Sequence, residues 1–205
     1  MTSFKPALSG LIAACAIFLA PTPLVRATTV IPPAFGGLVG QSDYIVRAVV
    51  KSVSSEMVTD SYGRHIFTNV EVEVKQVVAG SPPQPLVLRM LGGRVGTEEM
   101  TVQGAPKFAV GDEDILFIHG NGVQFTPLVA LMHGRYPILQ DSAGRSYVAR
   151  SNGQPLYSES EVSLPMETAI PVKAATARAQ PLTPEEFISR IQNAVNQTTK
   201  AKLEN

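Results

Sequence analysis

Valines at 70, 72 and 74 alternate with Glu71, Glu73 and Lys75, and no other feature constrains the fold of this chain as much. Successive side chains of an extended strand point to opposite faces, so the valines share one face and the charges share the other. A strand of this kind is buried on one side and solvated on the other, the usual condition of an antiparallel sheet. Turn signals bracket the run, Asp60-Ser61-Tyr62-Gly63 before it and Gly80-Ser81-Pro82-Pro83 after it.

The same reading extends along the chain. Tyr44 to Val53 is β-rich with apolar residues on both faces, and Leu86 to Leu91 forms a third strand. Gly92, Gly93 and Gly96 make a flexible or bulged connection, followed by a short strand at Met100 to Val102. Ile115 to Ile118 is continuously apolar, as expected of a central strand buried on both faces. Phe125 and Leu128 to Leu131 could supply another strand. Tyr136 to Gln140 and Ser146 to Arg150 flank a hairpin loop at Asp141 to Arg145. Phe35 to Gln41 has room for a helical turn or two, although Gly36, Gly37 and Gly40 weaken it. Short strands, frequent turns and no intervening helices predict an all-β domain over 28–150. The expected architecture is a small antiparallel OB-like β-barrel, with a β-sandwich as the alternative. A closed barrel leaves no sheet edges exposed, which suits a chain without disulfides.

The N-terminus reads as an address. Lys5 precedes an uncharged, mostly apolar run from Ala7 to Ala20, Pro21 and Pro23 break it, and Val25-Arg26-Ala27 places small residues before a cut at Thr28. Residues 1–27 are therefore expected to be a signal peptide, and the mature protein to be secreted or periplasmic. The run is too short for a membrane span, which needs roughly 20 residues. Cys15, the single cysteine, is not expected to carry a lipid anchor, because apolar sequence continues past it through Leu19. The mature chain then has no cysteine, and its stability must come from its core. With Lys5 and Arg26 removed it holds 15 basic and 17 acidic residues, a balance that argues against nucleic-acid and anionic-membrane partners.

Residues 151–182 carry Pro155, Pro165, Pro171 and Pro181 among small residues, and read as a Pro-rich tether or wrapping loop. Residues 183–205 read as a C-terminal amphipathic helix and tail. Thr183 is a good N-cap, Pro184 suits the first helical position, and Glu186 completes a capping box. Phe187, Ile188, Ile191, Ala194 and Val195 form one apolar stripe, able to dock on the barrel or to bind a partner.

Three stretches carry a resemblance. Ser42 to Val50 resembles an "(A/S)-D-hydrophobic-V-V-x-G-x-V" first strand, with Ala48 where the pattern has glycine. Val70 to Gly80 resembles the following "V-x-V-x-x-V-(L/W)-K-G" strand, and Phe108 to Phe117 a "F-x-x-G-E-x-(Y/V)-L-v-F" strand entry. Together they resemble bacterial secreted proteins of unknown function and, more distantly, the netrin-like, tissue-inhibitor-of-metalloproteinases-like class of OB-fold barrels. That resemblance implies an OB-like barrel and, by analogy, action on an exported peptidase. The inhibitors of that class carry disulfides and an N-terminal cysteine. A mature chain starting at Thr28 has neither, so no inhibitory residue carries over.

Chemistry is sparse. His65, His119 and His133 lack the close spacing of zinc ligands and read as turn or partly exposed residues. Asp112-Glu113-Asp114 lacks the alternating order of a calcium loop and reads as solvated charge at a tight turn. Gly92 to Gly96 opens no helix that would cradle a phosphate, and no Gly-x-Ser-x-Gly elbow occurs. The sequence points to no catalytic residue, metal site or cofactor. The leading expectation is a non-catalytic secreted binding module acting on another exported protein such as a peptidase. The alternatives are a metal- or carboxylate-assisted hydrolase using His119, His133 and Asp112 to Asp114, and an envelope structural protein. Binding is expected at the glycine-rich loops 92–104 and 119–124, through Arg94, His119 and Asn121.

Overall fold

A computed structural model of the chain describes residues 30–166 and 180–203. The signal-peptide and Cys15 readings, the middle of the proline-rich segment and the last two residues lie outside the described residues. The elements are helix α1 (Phe35–Gly40), strands β1 (Tyr44–Asp60), β2 (Gly63–Gly80), β3 (Leu86–Leu91), β4 (Gly93–Val95), β5 (Glu98–Met100), β6 (Glu113–Ile118), β7 (Arg135–Gln140) and β8 (Ser146–Val148), and helix α2 (Pro184–Leu203). Single 3-10 turns occupy Leu131–Gly134 and Glu159–Ser163. No helix among the described residues is long and apolar enough to cross a membrane.

Six strands form one antiparallel sheet in the order β3-β2-β1-β6-β7-β8, and β4 and β5 form a separate ribbon. The fold is thus mostly antiparallel β with a C-terminal helix. The main sheet is not closed into a barrel by strand pairing. Leu128 to Leu131 is not a strand either. Leu128 makes a single bridge to Ile118, after which Ala130 and Leu131 take φ of 50° and 58° and turn the chain away from extended geometry.

An apolar core packs on each face of the sheet. Val70 and Val72 are buried and Val74 packs beside them, while Glu73 and Lys75 stand exposed and pair at 2.8 Å. Tyr44, Val46, Ala48 and Val50 of β1, Leu86, Leu88 and Met90 of β3, and Leu116 and Ile118 of β6 join these valines in an inner core. Register shifts along the β1–β2 pairing then turn the strands, so that Val78 lies in the opposite core from Val70 and Val72. The outer core combines Ile45, Ile115, Phe117, Tyr136 and Val148 with α1, the 159–163 turn and α2. Ile115 to Ile118 therefore feeds both cores alternately, as its unbroken apolarity requires.

Curling makes the inner core possible. Two strands separate β3 from β6 in the sheet, yet the segment following β6 reaches the outer edge of β3. The Leu91 amide donates to the Phe125 carbonyl at 2.6 Å. The sheet therefore wraps its valine face inward, and the 119–128 segment bridges the gap.

On the outer face, the Phe187 ring lies 5.1 Å from Tyr136, 5.9 Å from Phe35 and 6.2 Å from Phe117, measured between centroids. The chain on either side of residues 167–179 is tied down as well. Val148 donates to the Leu182 carbonyl, Leu182 to Leu156, and Leu156 back to Val148, all at 2.8–2.9 Å. The fully buried Arg150 donates to the carbonyls of Leu164 and Pro165. These bonds cover the β8 edge, which would otherwise offer unpaired backbone groups.

Helix α2 starts as its capping box dictates. The Glu186 amide donates to Thr183 Oγ1 at 3.2 Å, and the Thr183 amide donates to Glu186 Oε2 at 2.9 Å. That second bond, with the Thr183 hydroxyl, holds the Glu186 carboxyl below its ordinary value of 4.5. A carboxyl depressed in the folded state stabilises it above that ordinary value and ceases to do so as pH falls through the folded value. Acid titration followed by NMR should move the Thr183 amide resonance with a midpoint below 4.5, and Glu186→Gln should abolish the movement. A Thr183 amide that ignores Glu186 would exclude the box.

Candidate functional site

Where the inner core opens at one end of the curl, a groove of about 300 Å³ enters the molecule. Its walls are Val53, Val70, Met90, Met100, Val102 and Phe108, three of which (Val70, Met90 and Phe108) also belong to or pack on the inner core. The rim holds Arg94, Glu99 and Lys107. Arg94 and Glu99 stand opposite each other across the β4–β5 ribbon and pair at 2.5 Å, both largely exposed.

The floor is polar. Ser55 and Thr68 are direct cross-strand partners on β1 and β2, with hydroxyls 2.9 Å apart. Thr68 donates to the Gly92 carbonyl at 2.7 Å. The ribbon can lie over this pair only because residue 93 is glycine. Its φ is +136°, and a Cβ there would come 2.2 Å from Thr68 Oγ1 and 2.6 Å from Ser55 Oγ.

One arginine fixes the opposite wall. Arg135, at the start of β7, donates through Nε to Asp114 Oδ1 at 2.8 Å and through Nη2 to Asp112 Oδ2 at 2.7 Å. Its Nη1 donates to the Lys107 carbonyl, and the guanidinium sits 4.4 Å from the Phe108 ring centroid. The loop that carries Lys107 and Phe108 into the groove is thus clasped to β6 and β7. Asp114 corrects the reading of a solvated acidic turn. Only 1% exposed, it has an Oδ2 with no hydrogen-bond partner among the described residues. Burial pushes its carboxyl up, against the pull of Arg135. Gly111, at φ +93°, does make the tight turn before it.

The structure separates the three expected binding residues. Arg94 lies on the groove rim. His119 sits outside it, with Nδ1 at 3.3 Å from Asp43 Oδ1, while Asp43 Oδ2 accepts from the Gly120 amide at 2.7 Å. These contacts, led by the Gly120 amide, hold the Asp43 carboxyl below its usual range. His133 is buried in its 3-10 turn, not partly exposed. The alternative catalytic set is dispersed in the same way, with Asp112 and Asp114 on Arg135 and His119 on Asp43. No three His, Asp or Glu side chains among the described residues are placed to hold a metal ion.

Asn121 takes an architectural role. Its side-chain amide donates to the Val87 carbonyl at 2.9 Å and accepts from the Arg89 amide at 3.4 Å, and Nδ2 also lies 3.3 Å from the Tyr44 hydroxyl. One side chain thereby imitates a peptide group of a neighbouring strand and covers the β3 edge. Asn121→Ala is expected to cost about 1–2 kcal/mol in urea unfolding and to speed amide exchange at Arg89. Unchanged exchange at Arg89 would show that the edge is protected by other means.

Two features of the site had no sequence signal specific enough to find them. The hydroxyl pair depends on the β1–β2 register, which places residues thirteen apart in sequence directly opposite each other. The role of Arg135 depends on β6 and β7 being neighbours, which no local pattern around residue 135 reveals. No family model matches the chain, and no curated protein matches it.

Proposed function

We propose that this protein is an exported, non-catalytic binding module whose ligand enters the groove between the β1–β2 hairpin, the β4–β5 ribbon and the 105–108 loop. The observation that carries this reading is the groove itself. It combines apolar walls continuous with the inner core, a polar floor and a charged rim, the composition typical of ligand pockets. Its volume of about 300 Å³ suits a small molecule or a short segment of a partner, not a folded domain. The curl of the sheet, with the 119–128 segment bridging β6 to β3, supports the finer reading of an OB-like, partly open barrel. The likeness to inhibitor-type barrels supports an exported partner such as a peptidase, by analogy of fold alone.

The test is ligand-induced thermal stabilisation across a panel of alkanoates, aromatic fragments and short apolar peptides. A ligand at a hundred times its Kd adds about 2.7 kcal/mol. At least one compound should raise Tm in the parent and not in Val102→Glu, which places a charge in the wall. A panel that leaves the parent unmoved, or stabilises both proteins alike, contradicts the groove. Export is tested separately: mass spectrometry of the envelope fraction should find a mature N-terminus at Thr28, and an intact Met1 would overturn it.

A further inference from the structure

The hydroxyl pair on the groove floor has a fixed direction. A threonine hydroxyl holds one proton, and that of Thr68 is committed to the Gly92 carbonyl, which can only accept. In the 2.9 Å contact between the hydroxyls, Ser55 must therefore be the donor. Its proton is spent as well, and no described residue donates to its oxygen. Ser55 Oγ thus faces the groove as an acceptor, and a ligand that lies on it without an N–H or O–H would strip it of water uncompensated.

The rim makes the complementary demand. Arg94 and Lys107 against Glu99 leave an excess of one positive charge among the lining side chains. The Arg94–Glu99 pair is exposed on both sides, where water screens the attraction and leaves it weak, so an incoming anion displaces or shares it at little cost. Both demands are made on one groove, since Ser55, Arg94 and Lys107 all line it, and its volume of about 300 Å³ requires one small group of atoms to meet them. The ligand must then carry a hydrogen-bond donor, an apolar group for the Val53, Val70, Met90 and Val102 walls, and an anion.

The last residue of a polypeptide with an apolar side chain has all three: its amide N–H, its side chain and its free carboxylate. We propose that the groove captures apolar C-termini, with the amide on Ser55 Oγ, the side chain between the valines and Met90, and the carboxylate at Arg94 and Lys107. An alkanoate satisfies the walls and the rim but has no N–H for Ser55. This assignment rests on the groove being the binding site and adds the class of ligand.

The experiment uses the mature full-length chain and fluorescently labelled hexapeptides of glycine and serine ending in valine, made as the free acid and as the carboxamide, with hexanoate as competitor. Anisotropy titrations should show the acid binding about tenfold more tightly than the carboxamide, the scale of a charge-assisted bond. Ser55→Ala should weaken the acid by about three- to tenfold with Tm nearly unchanged. Equal binding of acid and carboxamide, both lost in Val102→Glu, would overturn the C-terminus assignment and leave the groove standing. The same division follows if hexanoate binds as tightly as the peptide acid. If neither peptide binds, the assignment fails, and the panel described above decides separately whether the groove takes any ligand.

Discussion

Phe187→Ala is expected to lower the unfolding free energy by about 3–5 kcal/mol, the range for truncating a buried phenylalanine. The ring is fully buried and touches Phe35, Phe117 and Tyr136, which belong to α1, β6 and β7. No single element can close the resulting cavity. Urea unfolding is the measurement, with Ser189→Ala on the exposed face of the same helix as the control, expected within about 0.5 kcal/mol of the parent. The comparison separates the two roles open to an amphipathic C-terminal helix. A docked helix makes Phe187→Ala the far more costly variant. A helix held out for a partner would make the two variants alike.

Arg135→Met is the second large effect, again about 3–5 kcal/mol, because it leaves the buried Asp114 carboxylate without its cation. Its pH dependence has a definite sign. Asp114 is already pushed up by burial, and loss of the arginine pushes it further. A carboxyl raised in the folded state contributes stability that is present below its unfolded value and lost as pH rises through the folded one. The deficit of Arg135→Met relative to the parent should therefore shrink as pH is lowered from neutrality, and adding Asp114→Asn should recover part of it at neutral pH. A deficit that stays constant with pH, and that Asp114→Asn does not relieve, would mean that Arg135 acts through packing on Phe108 alone. The same variant loosens the 105–108 wall, so ligand affinity at the groove should fall with it.

What was legible in the sequence follows from which forces act locally. The alternation at Val70 to Lys75, the glycine and proline turns and the box from Thr183 to Glu186 are each determined within a few residues, and the elements appear where those signals place them. Ile115 to Ile118 was readable as doubly buried because apolarity on both faces has no other purpose in so short a run. The register shifts between β1 and β2 were not legible, because no single strand encodes them. The site shows the same division. Gly92, Gly93 and Gly96 read as a flexible or bulged connection, whereas the structure uses Gly93 for a close approach to Ser55 and Thr68 and sets Arg94 on the groove rim. Asn121 drew notice for being polar between glycines, but its amide is spent on the β3 edge. Ser55 and Thr68 were invisible, since a hydroxyl becomes part of a floor only when its cross-strand partner and the chain passing over it are known.

The most direct test of the groove as the binding site is methyl NMR of the valine- and methionine-labelled protein, titrated with the tightest compound of the thermal panel. The account predicts saturable shifts at Val53, Val70, Met90, Met100 and Val102, which line the groove, with Val78, Val148 and Val162 of the outer core unmoved. Shifts centred on that outer core, or on the exposed Val123, with the groove methyls silent at saturation, would contradict it.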